Sequence, residues 1–156
     1  MKAKQSRRLV VDACVLQSAG ETQHSLSCRD VLTTILEICH TVVMTPAIRE
    51  EWKHHRSNIA LKWWGSMRAR KKIETLREAG VKNLSMPVGI GSESERKALQ
   101  KDLHLVEAAL RADGIIITRE VELPALWEKY SQHFKSLRPI KWFDPTKDNI
   151  EDLKYL

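Results

Sequence analysis

The stretch Lys101-Asp102-Leu103-His104-Leu105-Val106-Glu107-Ala108-Ala109-Leu110, followed by Gly114-Ile115-Ile116-Ile117-Thr118-Arg119-Glu120, decides the fold. Leu99, Leu103, Val106 and Leu110 recur at helical spacing, and the helical pattern runs from Ser92 to Asp113. Gly114 stops it, and three consecutive isoleucines form a short, wholly apolar run suited to a strand covered on both faces. A helix turned by glycine into a doubly buried strand is half of a βαβ crossover, the unit of a parallel sheet.

Working outward, the same alternation recurs. Arg8-Leu9-Val10-Val11-Asp12 reads as a buried strand closed by an acid. Ser27 and Asp30 resemble a capping box ahead of a helix carrying Val31, Leu32, Ile35, Leu36, Ile38 and Cys39. Thr41-Val42-Val43-Met44-Thr45 is a second strand, and Pro46 opens the next helix. Helical character is expected through Lys72 to Ala79, with a break near Ser57 or Gly65 and Gly80 as its C-cap. Residues 81–91 read as loop or weak strand. Another helix is expected from Leu123 to Phe134, a last strand from Ile140 to Phe143, and a short helix between Asp148 and Leu156. The predicted architecture is α/β: one domain over residues 1–156, with a parallel sheet of about four to five strands flanked by helices. Its core spans about 9–143 and its tail 144–156.

The composition is that of a globular chain. Of the 156 residues 42% are apolar, with 6 Gly and 5 Pro and no low-complexity run, enough to bury a core without a disulfide framework. The net charge of +6 is local. Between Arg49 and Lys72 stand eight basic residues and two acids, Glu50 and Glu51, so that segment carries the whole excess. Cys14, Cys28 and Cys39 form no Cys-x-x-Cys pair, which favours a reducing, cytoplasmic setting. The N-terminal Lys2, Lys4, Arg7 and Arg8 imitate a signal peptide, but Asp12 interrupts the apolar stretch after three residues. From Val31 to Ile48, Glu37, His40 and Pro46 break the stretch that most resembles a membrane span, so no membrane partner is expected.

Ligand sites of parallel sheets lie beyond the carboxyl ends of the strands. Asp12 ends the first strand, Glu51 sits in the opening turns of the helix after the second, and Glu120 follows Thr118. A helix from Asp102 to Asp113 covers about 16 Å at 1.5 Å per residue. The returning strand climbs by about the same amount at 3.3 Å per residue, which brings Asp102 level with Glu120. Four carboxylates from distant segments thus meet at one rim. Any single acid is most often a solvated surface charge, but four together call for a cation, and an all-oxygen set without Cys or His suits Mg²⁺ or Mn²⁺. Glu50 and Glu51 separate by helical phase. Ile48 and Trp52 define the buried seam, and Glu51 lies about 80° from its centre against about 180° for Glu50.

These residues carry a family resemblance. Leu9-Val10-Val11-Asp12-Ala13-Cys14-Val15-Leu16 resembles the first motif of PIN-domain nucleases. Thr45-Pro46-Ala47-Ile48-Arg49-Glu50-Glu51-Trp52 resembles the second, and the stretch from Lys101 to Glu120 resembles the third and fourth. The similarity spans about Leu9 to Phe143. It implies a single Rossmann-like PIN domain and Mg²⁺- or Mn²⁺-dependent endonucleolytic cleavage of RNA to 5′-phosphate and 3′-hydroxyl products. Asp12, Glu51 and Asp102 would be metal-binding acids and Glu120 an outer or second-metal acid. Cys14 stands where the family usually has Asn or Ser, and Glu120 where it usually has Asp. Those departures support a rival reading, a non-catalytic nucleic-acid or partner-binding module on a degenerate PIN fold. Many small members are toxins of toxin–antitoxin pairs, so an antitoxin protein joins RNA among the implied partners.

The basic segment has two readings. Arg68, Arg70, Lys71 and Lys72, with Arg56 and Lys62, surround Trp63-Trp64, a mixture suited to the phosphates and bases of a single strand; Arg119 would hold the same strand. Otherwise it is a solvated helix face whose tryptophans lie in the core or at the interface of a homodimer. His54, His55, His104 and His133 have no zinc-ligand spacing.

Overall fold

The computed structural model describes residues 5–20, 22, 25–77, 89, 91–133 and 139–156. Five strands, β1 (Arg8–Val11), β2 (Thr41–Met44), β3 (Ile73–Thr75), β4 (Ile115–Ile117) and β5 (Lys141–Phe143), form one sheet. All four pairings are parallel, and the order is β3-β2-β1-β4-β5. The helices are α1 (Ala13–Ser18), α2 (Leu26–Glu37), α3 (Pro46–His54), α4 (Asn58–Ala69), α5 (Glu93–Leu110) and α6 (Glu122–Tyr130). Two 3₁₀ turns follow, at Ser131–His133 and Ile150–Tyr155. This is the expected α/β architecture, a parallel sheet flanked by helices and compatible with a single Rossmann-like domain.

The central strands are apolar because they are covered on both faces. Leu9, Val10, Val11, Val42, Val43, Ile116 and Ile117 are fully buried. The chain leaves β1 toward β2 and β3, then crosses back to lay β4 on the other side of β1. The strand order therefore reverses between β1 and β4, where Leu9, Val10 and Val11 pair with Ile115, Ile116 and Ile117. That switch point opens a crevice above the strand ends.

Several expectations need correction. The helix after β2 does not run to Ala79. It breaks at Ser57, whose hydroxyl accepts from Ala60 N, and α4 ends at Ala69. A strand then follows that the sequence did not suggest. Ile73-Glu74-Thr75 is short and polar, and it packs only through Ile73, so its pairing with Val42, Val43 and Met44 leaves little hydrophobic signature. The cap of α2 is Ser25 rather than Ser27, and its side chain makes no capping bond. Helix α1, which the sequence reading did not assign, begins at once after Asp12. The expected cap at Gly80 falls outside the described residues, as does the segment 81–88.

Trp52 is fully buried and donates its indole N–H to Val11 O at 3.0 Å, fixing α3 against the end of β1. Trp63 and Trp64 join it, with ring centroids 5.6 and 5.4 Å away. The tryptophan pair is thus core, not a platform for bases. The C-terminal turn docks on the lower edge through His40, which accepts from Arg7 N and donates to Leu153 O at 2.7 Å. Among the described residues no helix is long and apolar enough to cross a membrane.

Candidate active site

A cleft of about 180 Å³ lies at the switch point, and Asp12, Glu51, Asp102 and Glu120 all line it. Asp12 arrives from the end of β1 and caps α1, accepting from Cys14 N at 3.4 Å. Its other oxygen accepts from Thr118 Oγ1 at 2.8 Å. Thr118, itself 2% exposed, also accepts from Glu120 N at 3.0 Å, so one hydroxyl joins the ends of β1 and β4. Asp12 is buried with these two donors and forms no ion pair among the described residues. A desolvated carboxylate so placed favours a positive ligand.

Glu51 comes from α3 and stands 3.2 Å from His104 Nε2 on α5. The ring nitrogen is close but poorly aimed at the carboxylate, so the contact is an attraction of charges rather than a well-formed hydrogen bond. Burial works against the charged imidazole, yet Glu51, joined by the Lys101 carbonyl and Asp102, holds the His104 pKa above its ordinary value. Glu50, by contrast, is exposed and pairs with His54 at 3.1 Å. The helical phase therefore separates the two glutamates as expected.

Asp102 projects from the middle of α5. Burial first, then the charges of Asp12 and Glu51, raise its pKa to about 6 against the opposing pull of Lys101 and His104. The three carboxylates are thus close enough to repel one another. Glu120 is more exposed and borders a second hollow beside Lys101, Glu122 and Leu123.

Among the described residues no three His, Cys, Asp or Glu side chains already stand at metal-ligand spacing. Asp12 is tied to Thr118, and Glu51 is drawn to His104. The chemistry of the donors nevertheless fits a hard divalent ion. They are all carboxylate oxygens, they repel, and the cleft leaves room for the waters that Mg²⁺ retains.

Cys14 is held as a thiol, a weak nucleophile. Burial, reinforced by the Asp12 charge, pushes its thiol up to about 12, and it accepts from Arg119 N at 3.4 Å. Thr118 and His104 escaped the sequence reading. Thr118 lies inside the quoted stretch, but only its acids were weighed there; His104 was tested only against zinc spacing.

The basic residues divide. Lys72 Nζ donates to Ile35 O, Leu36 O and Ile38 O, satisfying carbonyls at the end of α2, and Arg70 adds a bond of 3.2 Å to Leu36 O. Lys72 and Arg70 are thereby caps of a helix end and stand apart from Arg68 and Lys71, which line a separate hollow beyond α3. Arg119 bonds Ser18 Oγ on α1 and does not line the acidic cleft. In comparison with known proteins, no family model matches the chain and no curated protein matches it.

Proposed function

We propose that this protein is a metal-dependent endoribonuclease of PIN type, acting on single-stranded RNA in the cytoplasm. The observation that carries the reading is the meeting of Asp12, Glu51, Asp102 and Glu120 in one cleft at the switch point of a parallel sheet. Asp12 and Asp102 would be the principal ligands of Mg²⁺ or Mn²⁺, with Glu51 binding directly or through water and Glu120 at the outer edge. When bound, such an ion lowers the pKa of water and offsets charge developing on a phosphate. The chain's own residues prepare for this. Thr118 holds the Asp12 carboxylate in one orientation, and His104 keeps Glu51 against α5 until a stronger cation competes for it. Asp102 binds a cation once its proton is lost, and Lys101 beside it supplies positive charge for a phosphate at the mouth.

The test is cleavage of an unstructured RNA by protein purified free of host ribonuclease. Mn²⁺ should support cleavage, EDTA should stop it, and Asp12→Asn should abolish it with the fold intact. RNA binding without cleavage in Mn²⁺ would favour the rival binding module, which draws on the spacing of the acids. Within this proposal a toxin role rests on the family resemblance. Growth arrest on expression, relieved by Asp12→Asn and by a small neighbouring antitoxin, is its expected signature.

A further inference from the structure

Another hollow, of about 380 Å³, runs from the carboxyl end of β2 along β3. Arg49, Arg68 and Lys71 line it, together with Thr45, Thr75 and Trp64. None of the three cations has an acid partner among the described residues, whereas Arg8, Lys53 and Arg111 each do. Unlike those of Arg70 and Lys72, their side chains bond no helix end among the described residues.

Lys71 carries a second mark. It follows α4 as the left-handed residue of a Schellman turn, with φ of 55°, where glycine is the usual choice. Lys71 N donates to Arg68 O and Lys72 N to Met67 O, completing that turn. A side chain kept where its backbone is strained points to a use for the side chain. Trp64 supplies a third mark: it lines the hollow, is 6% exposed, and its buried indole N–H has no acceptor among the described residues.

Helix α3 is the wall between the hollows. Taking Ile48 and Trp52 as its seam, Glu51 lies about 80° to one side and Arg49 about 80° to the other. Two strand spacings separate the β2/β3 ends from the β1/β4 ends, about 10 Å at 4.8 Å per strand. That is the length of about three stacked nucleotides at 3.4 Å each.

We infer that the hollow formed by Arg49, Arg68 and Lys71 is a phosphate subsite for the RNA strand whose scissile bond lies in the acidic cleft. The inference rests on the ribonuclease reading for its substrate class. The cations neutralise a backbone phosphate, Thr45 and Thr75 offer hydroxyls beside it, and Met44, Pro46 and Ile73 form an apolar floor for the sugar or base. The subsite sets the direction in which the strand crosses α3.

Fluorescein-labelled oligouridylate, measured by anisotropy in EDTA so that nothing is cleaved, tests this directly. Arg49→Gln with Arg68→Gln should weaken binding by about tenfold or more. The salt slope should become shallower by about 0.7 for each phosphate no longer neutralised. Lys71→Gly should raise the melting temperature, by relieving the strained backbone, while lowering affinity; misfolding cannot produce that pair of changes. Wild-type affinity and slope in the double variant would overturn the subsite, as would a Lys71→Gly protein that gains stability and binds RNA normally. Uridine monophosphate binding that the variants lose while RNA affinity stays unchanged would also overturn it, by assigning the hollow to a free phosphate ester. Cleavage in Mn²⁺ is scored separately on the wild type, so a failed subsite and a failed ribonuclease reading give different results.

Discussion

Thr118 Oγ1 donates to Asp12 Oδ2 at 2.8 Å while accepting from the backbone N–H of Glu120 at 3.0 Å. One buried hydroxyl therefore orients the acid that ends β1 and anchors the start of the segment carrying the acid after β4. Thr118→Val keeps the shape but removes both bonds, leaving a buried carboxylate and an amide each short of a partner. We expect a loss of about 1–3 kcal/mol in thermal or urea unfolding. Cleavage should fall as well. Thr118→Ser should restore most of both, and a Val variant as stable and active as wild type would remove Thr118 from the site.

Asp102 gives a pH signature. Its folded pKa of about 6 lies above the ordinary value of 3.8, so the folded state holds the proton more tightly than the unfolded one. Its contribution is fully favourable below about pH 4 and is lost as pH rises through about 6. Asp102→Asn should therefore make the metal-free protein more stable above pH 6, on the order of 1–3 kcal/mol, with the gain vanishing near pH 4. Comparing the two proteins at each pH cancels the separate contribution of His40, whose depressed pKa weakens the fold as acid protonates it. A variant less stable than wild type at pH 7.5 would contradict the repulsion among the acids.

The same pair of proteins reports on the ion. Mg²⁺ or Mn²⁺ at a hundred times its dissociation constant should stabilise the wild type by about 2.7 kcal/mol. The gain should shrink sharply in Asp102→Asn, which has lost a ligand. If melting curves of both proteins ignore the ions, the cleft is not a metal site.

Glu51 and Glu50 should differ in kind. Glu51→Gln should impair cleavage severely, Glu50→Gln mildly. Glu51→Gln should also let the His104 pKa fall, because burial then acts without the opposing carboxylate. Titration of the imidazole by NMR reads this without any substrate, and an unmoved His104 would mean that the 3.2 Å approach does not persist in solution.

Lys72 should behave as a structural residue. Lys72→Met leaves carbonyls at the end of α2 without their donor, and we expect a cost of about 1–3 kcal/mol in unfolding. The salt dependence of RNA binding should not change. A flatter slope in this variant would return Lys72 to the nucleic-acid surface.

The sequence alone determined what depends on short range. The runs at Leu9-Val10-Val11, Val42-Val43 and Ile115-Ile116-Ile117 specify buried strands because a strand covered on both faces needs no polar alternation. The periodic leucines from Leu99 to Leu110 specify α5, and the rise per residue in helix and strand brings Asp102 to the rim. Glu51 separates from Glu50 by the 100° step of one residue along a helix. What needed the tertiary structure depends on partners far along the chain. Strand β3 exists because β2 offers it an edge; Ile73 and Thr75 are β-branched, but three residues with a charge between them carry too weak a local signal to mark a strand. Trp63 and Trp64 are core because Trp52 receives them. Among four adjacent basic residues, Lys72 and Arg70 close the end of α2 while Arg68 and Lys71 face a hollow. All four carry the same charge; only the position of α2 against α4 tells them apart, and that packing is set by contacts more than thirty residues away in sequence.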